Sequence, residues 1–267
     1  LNINNLGLLN ILGEIINEEE ESSDKAISEF LLYNIDNIRY VTINNIVDQA
    51  FVSHSSVRRF CNNLGYQNFS ELKSSFSDIV FPSNLHLRKF EPVEKYRVNI
   101  VNELENIIVG INHVITDDTI KYLTHLINQY ENIALLSANN TSSNLLKFQQ
   151  ELFYANKIIR IVNNNFDNEF LNEVSKRSSL IFVVSVSGVF AKEIYNIMDH
   201  TKGKKVLITA NRDEEFIKPY NEIIYLSKKD IKSDAFGLFG KYGITYLFDL
   251  ISEHYIYEYK KRNEKIY

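Results

Sequence analysis

The chain has 267 residues, with 29 basic and 34 acidic side chains, a net charge of −5 and 45% hydrophobic content. That length accommodates two domains with separate cores, and the composition is that of a globular protein. The acidic balance excludes a non-specific nucleic-acid coat. A single cysteine excludes an intramolecular disulfide and suits a reducing cytoplasm, and no apolar run nears the ~18 residues of a membrane span.

The first twenty residues carry Leu6, Leu9, Leu12, Ile15 and Ile16 at helical spacing, which predicts an amphipathic helix serving a domain core or a dimer contact. They show neither a basic region nor a cleavage site, so a signal peptide is not expected. An acidic run, Glu18–Glu21, follows.

Residues 42–65, TINNIVDQAFVSHSSVRRFCNNLG, are the most informative stretch. Thr42 can cap a first helix whose apolar face is Ile43, Ile46, Val47 and Ala50; Phe51 and Val52 make a turn. Ser53 can cap a second helix with a buried stripe of Val57, Phe60, Cys61 and Leu64, which Gly65 stops. The opposite face holds His54, Ser55, Ser56, Arg58, Arg59 and Asn62. Two short helices around a tight turn, the second bearing arginines, are the layout of a helix-turn-helix. Arginine forks onto guanine edges or holds phosphates, and serine hydroxyls serve either. A paired arginine on a helix is also an ordinary solvated face. The expected DNA-binding set is Thr42, Ser53, His54, Ser55, Ser56, Arg58, Arg59, Asn62 and Lys73. Up to residue 77 there are five basic and ten acidic residues, so few phosphate contacts per subunit, a shallow salt dependence and a dimer on paired half-sites are expected.

Residues 24–73 resemble the N-terminal domain of the RpiR/MurR family of bacterial transcription regulators. Val52-Ser53, Val57, Arg59-Phe60-Cys61, Leu64-Gly65 and Phe69-Ser70-Glu71-Leu72-Lys73 fit its pattern position for position. Two departures stand out: Val47 replaces a small residue, and Phe51 replaces the turn glycine, a strained substitution if φ there is positive.

Two of the three prolines, Pro82 and Pro92, mark a linker at 78–95 between a helical domain at 1–77 and a second domain at 96–267. A helix over 95–114 leads into alternating segments. Strands are predicted at 133–136, 157–162, 180–186, 205–209 and 222–226, with helices near 118–129, 142–155, 167–176, 189–201 and 212–218. This alternation predicts a five-stranded parallel sheet flanked by helices, an α/β domain after an all-α one, with ligands at the carboxyl ends of the strands.

Two strand ends carry clustered hydroxyls: Ser137-Ala138-Asn139-Asn140-Thr141-Ser142-Ser143 and Ser185-Val186-Ser187-Gly188. Hydroxyls and amide groups at helix N-termini can cradle a phosphate, or can simply cap helices. Asn139, Thr141, Ser185, Ser187 and Gly188 are the ligand candidates. The order of elements over 116–245 and the Ser-x-Ser-Gly loop resemble a SIS (sugar isomerase) domain, which implies phosphosugar binding in these loops. Ser137 and Asn139 stand where that family has glycines, Thr141 where it has serine, and Phe190 where it has threonine. These changes point to a different or larger ligand, or to lost binding.

Residues 233–261 predict one long helix in which Gly237, Gly240 and Gly243 suggest close approach of another backbone. Its tyrosine-rich end, residues 254–259, suits either a dimer seam or packing on its own domain. Glu151, Glu193 and His200 follow the loops, but no Walker sequence, metal set or nucleophile elbow is present, so no catalytic residue, metal or cofactor is expected. The resemblance implies a cytoplasmic, non-enzymatic regulator (a repressor in first reading). It would bind a double-stranded operator as a homodimer or homotetramer, off the membrane, and respond to a phosphosugar. A sugar-phosphate isomerase with an accessory helical domain and a ligand-blind DNA-binding dimer are the alternatives.

Overall fold

Polar side chains open each short helix of the N-terminal region. Ser22 accepts the amide N–H of Lys25 at 3.1 Å to start α2 (Ser23–Tyr33). Thr42 starts α3 (Ile43–Gln49), Ser53 starts α4 (His54–Asn63) and Asn68 starts α5 (Phe69–Ser75) in the same way. Before them lies α1 (Ile3–Ile16), and a 3₁₀ turn, Ile35–Tyr40, precedes α3. The computed structural model describes residues 3–18, 20–76, 92–162, 178–213, 218–229, 231 and 236–260. The chain divides into two units, Leu1–Val80 and Phe81–Tyr267. In the first, Leu8 and Leu12 of α1 join Ile27, Leu31, Ile46, Val57, Phe60, Cys61 and Leu72 in one core. Each large apolar side chain buried there contributes roughly 1.5–3 kcal/mol.

α4 ends as its glycine predicts. Gly65 has φ 84°, its N–H reaches the Asn62 carbonyl at 3.0 Å, and the Tyr66 N–H reaches the Cys61 carbonyl at 2.9 Å. This is the paired-bond helix stop that needs a left-handed residue. Phe51 also sits in the left-handed region, at φ 54°. The strain foreseen for a bulky residue in this turn is therefore present, and the phenyl ring, 92% exposed, packs against little to offset it.

The second unit begins its described part with α6 (Val93–Val114) and α7 (Asp117–Gln129). Then come β1 (Asn132–Ser137), α8 (Asn139–Tyr154), β2 (Arg160–Val162), β3 (Ser179–Val184), α9 (Val189–Glu193), α10 (Tyr195–His200), β4 (Lys204–Thr209) and β5 (Glu222–Tyr225). The five strands are parallel in the order β2-β1-β3-β4-β5. Ile133, Leu135, Leu180, Phe182, Val206 and Ile208 share a core with residues of α6, α7, α8 and the C-terminal helix α11 (Ile244–Tyr255). The alternate residues Ala134, Leu136, Ile181, Val183 and Leu207 are buried too. Both faces are therefore covered, as an all-parallel sheet requires.

Several boundaries differ from expectation. β2 starts at Arg160 rather than 157 because Asn156 (φ 59°) and Lys157 close α8 with N–H bonds to Phe153 and Leu152. The helix expected at 189–201 is interrupted at Ile194. The C-terminal helix contains π-helical segments, Phe239–Gly243 and Ile256–Lys260, on either side of α11. Within the chain, a Cβ on Gly240 would meet open space, and one on Gly243 would meet the side chains of Phe239 and Ile111 rather than another backbone. Tyr255 is buried within its own domain, its ring 5.0 Å from that of Tyr259. Most of the expected linker and the helix at 167–176 lie outside the described residues, as does most of the helix at 212–218.

Candidate nucleic-acid interface and ligand site

At about 100° per residue, the buried side chains Val57, Phe60 and Cys61 define one side of α4. Ser55, Arg59 and Asn62 fall on the opposite side, with Arg58 and His54 on one flank and Ser56 on the other. His54, Ser55, Arg58, Arg59 and Asn62 are exposed, and Ser56 is half-buried. At the head of the helix, Ser53 Oγ accepts the Ser56 N–H at 3.1 Å and lies 2.7 and 2.9 Å from the Ser55 and Ser56 hydroxyls. Three hydroxyls thus meet where free amides and the helix dipole favour an anion.

Two members of the expected set stand elsewhere. Thr42 is engaged in a capping box: its Oγ1 accepts the Asn45 N–H at 3.2 Å, and its own N–H donates to Asn45 Oδ1 at 2.9 Å. Lys73 Nζ donates to the carbonyl of Val41 at 3.2 Å, which places it beside the start of α3 rather than on α4. Cys61 is fully buried, and burial pushes its thiol up to about 11, so it is a packing residue.

In the sheet domain, β1 and β3 are neighbours, and the chain leaves their carboxyl ends in the two hydroxyl-rich loops. In the order 2-1-3-4-5 this is the point where the winding reverses and where ligands of such sheets sit. The fold thus brings the 137–143 and 185–188 loops to one end. Ser137 is wholly buried, and its Oγ has no hydrogen-bond partner. A buried hydroxyl without a partner is unfavourable and suits a ligand or water.

The second loop is built more tightly than its sequence implies. Gly188 has φ 80° and heads α9. Ser185 is 5% exposed, and its Oγ accepts the Ala191 N–H at 3.2 Å. The Ser187 hydroxyl faces the Val189 N–H at 3.5 Å, while its carbonyl accepts Asn211 Nδ2 at 2.7 Å. Phe190 is buried in the core. Thr141 is half-buried, and its N–H donates to the Ala138 carbonyl at 2.9 Å; Asn139 is the first residue of α8. Asn211 and Thr209, joined by an Asn211 N–H to Thr209 Oγ1 bond of 3.1 Å, complete the rim from the end of β4. Sequence reasoning passed over them because every strand end in such a fold is eligible alike. Glu151 and His200 are engaged away from the loops: Glu151 accepts from Ser252 at 2.5 Å, and His200 Nδ1 lies 2.7 Å from the Asn196 carbonyl. Among the described residues, no group of His, Cys, Asp and Glu could hold a metal ion.

Residues 7–80, which hold α4 and its capped neighbours, match the family model for the helix-turn-helix domain of the rpiR family. The N-terminal domain is thus similar to the helix-turn-helix domain of the rpiR family. Over 56 residues the chain is 38% identical to the uncharacterized HTH-type transcriptional regulator YfhH of Escherichia coli K12, a match covering 21% of this chain and 20% of that protein. The chain therefore aligns with about one fifth of that relative's length. A candidate sugar-phosphate isomerase from Listeria monocytogenes superposes with a TM-score of 0.51 at 12% identity, over 67% of this chain and 98% of its own. The sheet domain that follows the rpiR-like domain therefore shares the fold of that structure. The Vibrio vulnificus NanR protein complexed with ManNAc-6P aligns over 96% of this chain and 94% of its own, with a TM-score of 0.49 and 16% identity. Among the described residues, no helix is long and apolar enough to cross a membrane.

Proposed function

We propose that this chain is a cytoplasmic transcription regulator whose rpiR-type domain reads duplex DNA through α4 and whose sheet domain senses a small metabolite of the phosphosugar class. The outward face of α4 carries the first half of the reading: Arg59 and Asn62 stand opposite the core stripe, behind a cluster of hydroxyls at the helix head. For the second half, the sugar-isomerase fold supplies the class, and the loops at the β1/β3 switch point supply hydroxyl and amide donors around the unpartnered Ser137. The domain is read as a sensor rather than a catalyst: of Glu151, Glu193 and His200, the first and last bond to Ser252 and to the Asn196 carbonyl away from that end. A dimer places two α4 helices on half-sites one helical turn apart, and a ligand that prefers one spacing shifts operator affinity. The test has two arms. Binding to promoter and random duplexes at several salt concentrations should show a preference for the promoter, and phosphosugars should raise the melting temperature. Turnover of a phosphosugar would instead make the chain an isomerase. Promoter binding without any thermal shift would make it a ligand-blind regulator.

A further inference from the structure

Resting on that reading, we propose that Arg39 and Lys73 form a second DNA contact, a sequence-independent grip on a backbone phosphate beside the start of α3, with the Tyr40 ring as its platform. Up to residue 77 the chain has only five basic residues against ten acidic ones, so the place of each cation matters. Arg58 and Arg59 lie on α4. Lys25 is tied to Glu21 at 3.0 Å and to the Glu18 carbonyl at 3.2 Å. The remaining two, distant in sequence, both stand beside the start of α3. Arg39 lies in the last turn of the 3₁₀ segment, two residues before Val41, and Lys73 reaches from α5 to the Val41 carbonyl at 3.2 Å.

Both retain donors for an anion. A lysine ammonium has three N–H groups, and the Val41 carbonyl takes one. The Arg39 guanidinium lies over the exposed Tyr40 ring, 4.7 Å from its centroid. Arg39 is exposed, and a guanidinium offers a planar fork of N–H donors that suits a phosphate. No carboxylate among the described residues forms a salt bridge with either group. Val41 immediately precedes Thr42, the cap of α3. In a helix-turn-helix, this first helix crosses the DNA backbone while the second enters the groove. The cation pair thus stands at the phosphate-crossing element of an otherwise acidic domain.

A phosphate contact acts alike on every sequence, so the test uses the full chain with a random-sequence duplex and with promoter DNA, across a salt series. Arg39→Ala should weaken both to a similar extent, several-fold, and lower the slope of log affinity against log salt by about one. Tyr40→Phe should bind like the parent, and Tyr40→Ala should lose part of the effect. Lys73→Arg should retain binding that Lys73→Gln loses, with folding checked by circular dichroism. A parent-like slope for Arg39→Ala, or a loss confined to promoter DNA, overturns the grip while leaving DNA reading by α4 intact. If the unsubstituted chain binds neither duplex, the DNA-reading proposal falls and takes the grip with it.

Discussion

The Ser53 hydroxyl accepts the N–H of Ser56 at 3.1 Å, and that bond opens α4 in front of its arginines. Losing a cap costs about 1 kcal/mol. Ser53→Ala should therefore lower the denaturation midpoint by a corresponding amount. Ser53→Asp caps equally well and should restore stability, yet it sets a carboxylate where a phosphate must approach. Its duplex affinity should fall below that of the parent, as a gel-shift titration would read. Tighter binding by the Asp variant would place DNA elsewhere.

Phe51 holds a left-handed backbone with its ring in solvent. Such a conformation costs a non-glycine residue roughly 1–2 kcal/mol, of which the added chain entropy of an unfolded glycine returns about half to one. Phe51→Gly should stabilise the chain by about 0.5–1 kcal/mol in urea unfolding, whereas Phe51→Ile should destabilise it. A less stable glycine variant would mean that the phenyl ring makes a contact the turn depends on.

Burial raises the Cys61 thiol from 9.0 to about 11. The folded state favours the neutral thiol, so its contribution to stability is complete below pH 9 and is lost as pH rises from 9 towards 11. Cys61→Ala should show a shallower fall in stability over that window than the parent, and the native thiol should react with disulfide reagents only as fast as the chain opens. Rapid labelling of the folded protein at neutral pH would contradict the buried position.

Phe190 stands where the sugar-isomerase resemblance expects threonine, and it is buried. Truncating such a ring costs about 3–5 kcal/mol. Phe190→Ala should destabilise by that order in denaturant unfolding. A loss below 1 kcal/mol would mark the ring as a removable plug over the loops instead of a core residue.

The parts of this chain legible in its sequence are those where local chemistry and tertiary packing agree. The stripe Val57, Phe60, Cys61, the caps Thr42 and Ser53, and the stop at Gly65 each follow from nearest-neighbour physics, and each appears in the fold. The order of strands and helices is legible for the same reason, because buried parallel strands must be continuous apolar runs. What escaped depends on distant partners. The interruption at Ile194 and the π-helical turns depart from the regular helices expected there. Ser185 appears as an open hydroxyl in the sequence, but its Oγ accepts the Ala191 N–H inside the loop. The reach of Lys73 to Val41, two residues beyond Arg39, required the third dimension.

DNA reading by α4 is the central claim, and Arg59 is its sharpest probe, since it stands opposite the core stripe. Titrating the full chain and Arg59→Ala against promoter and random duplexes at one salt concentration should show a loss of roughly 1–3 kcal/mol on the promoter and much less on random DNA. Equal promoter affinity for the two proteins would contradict it.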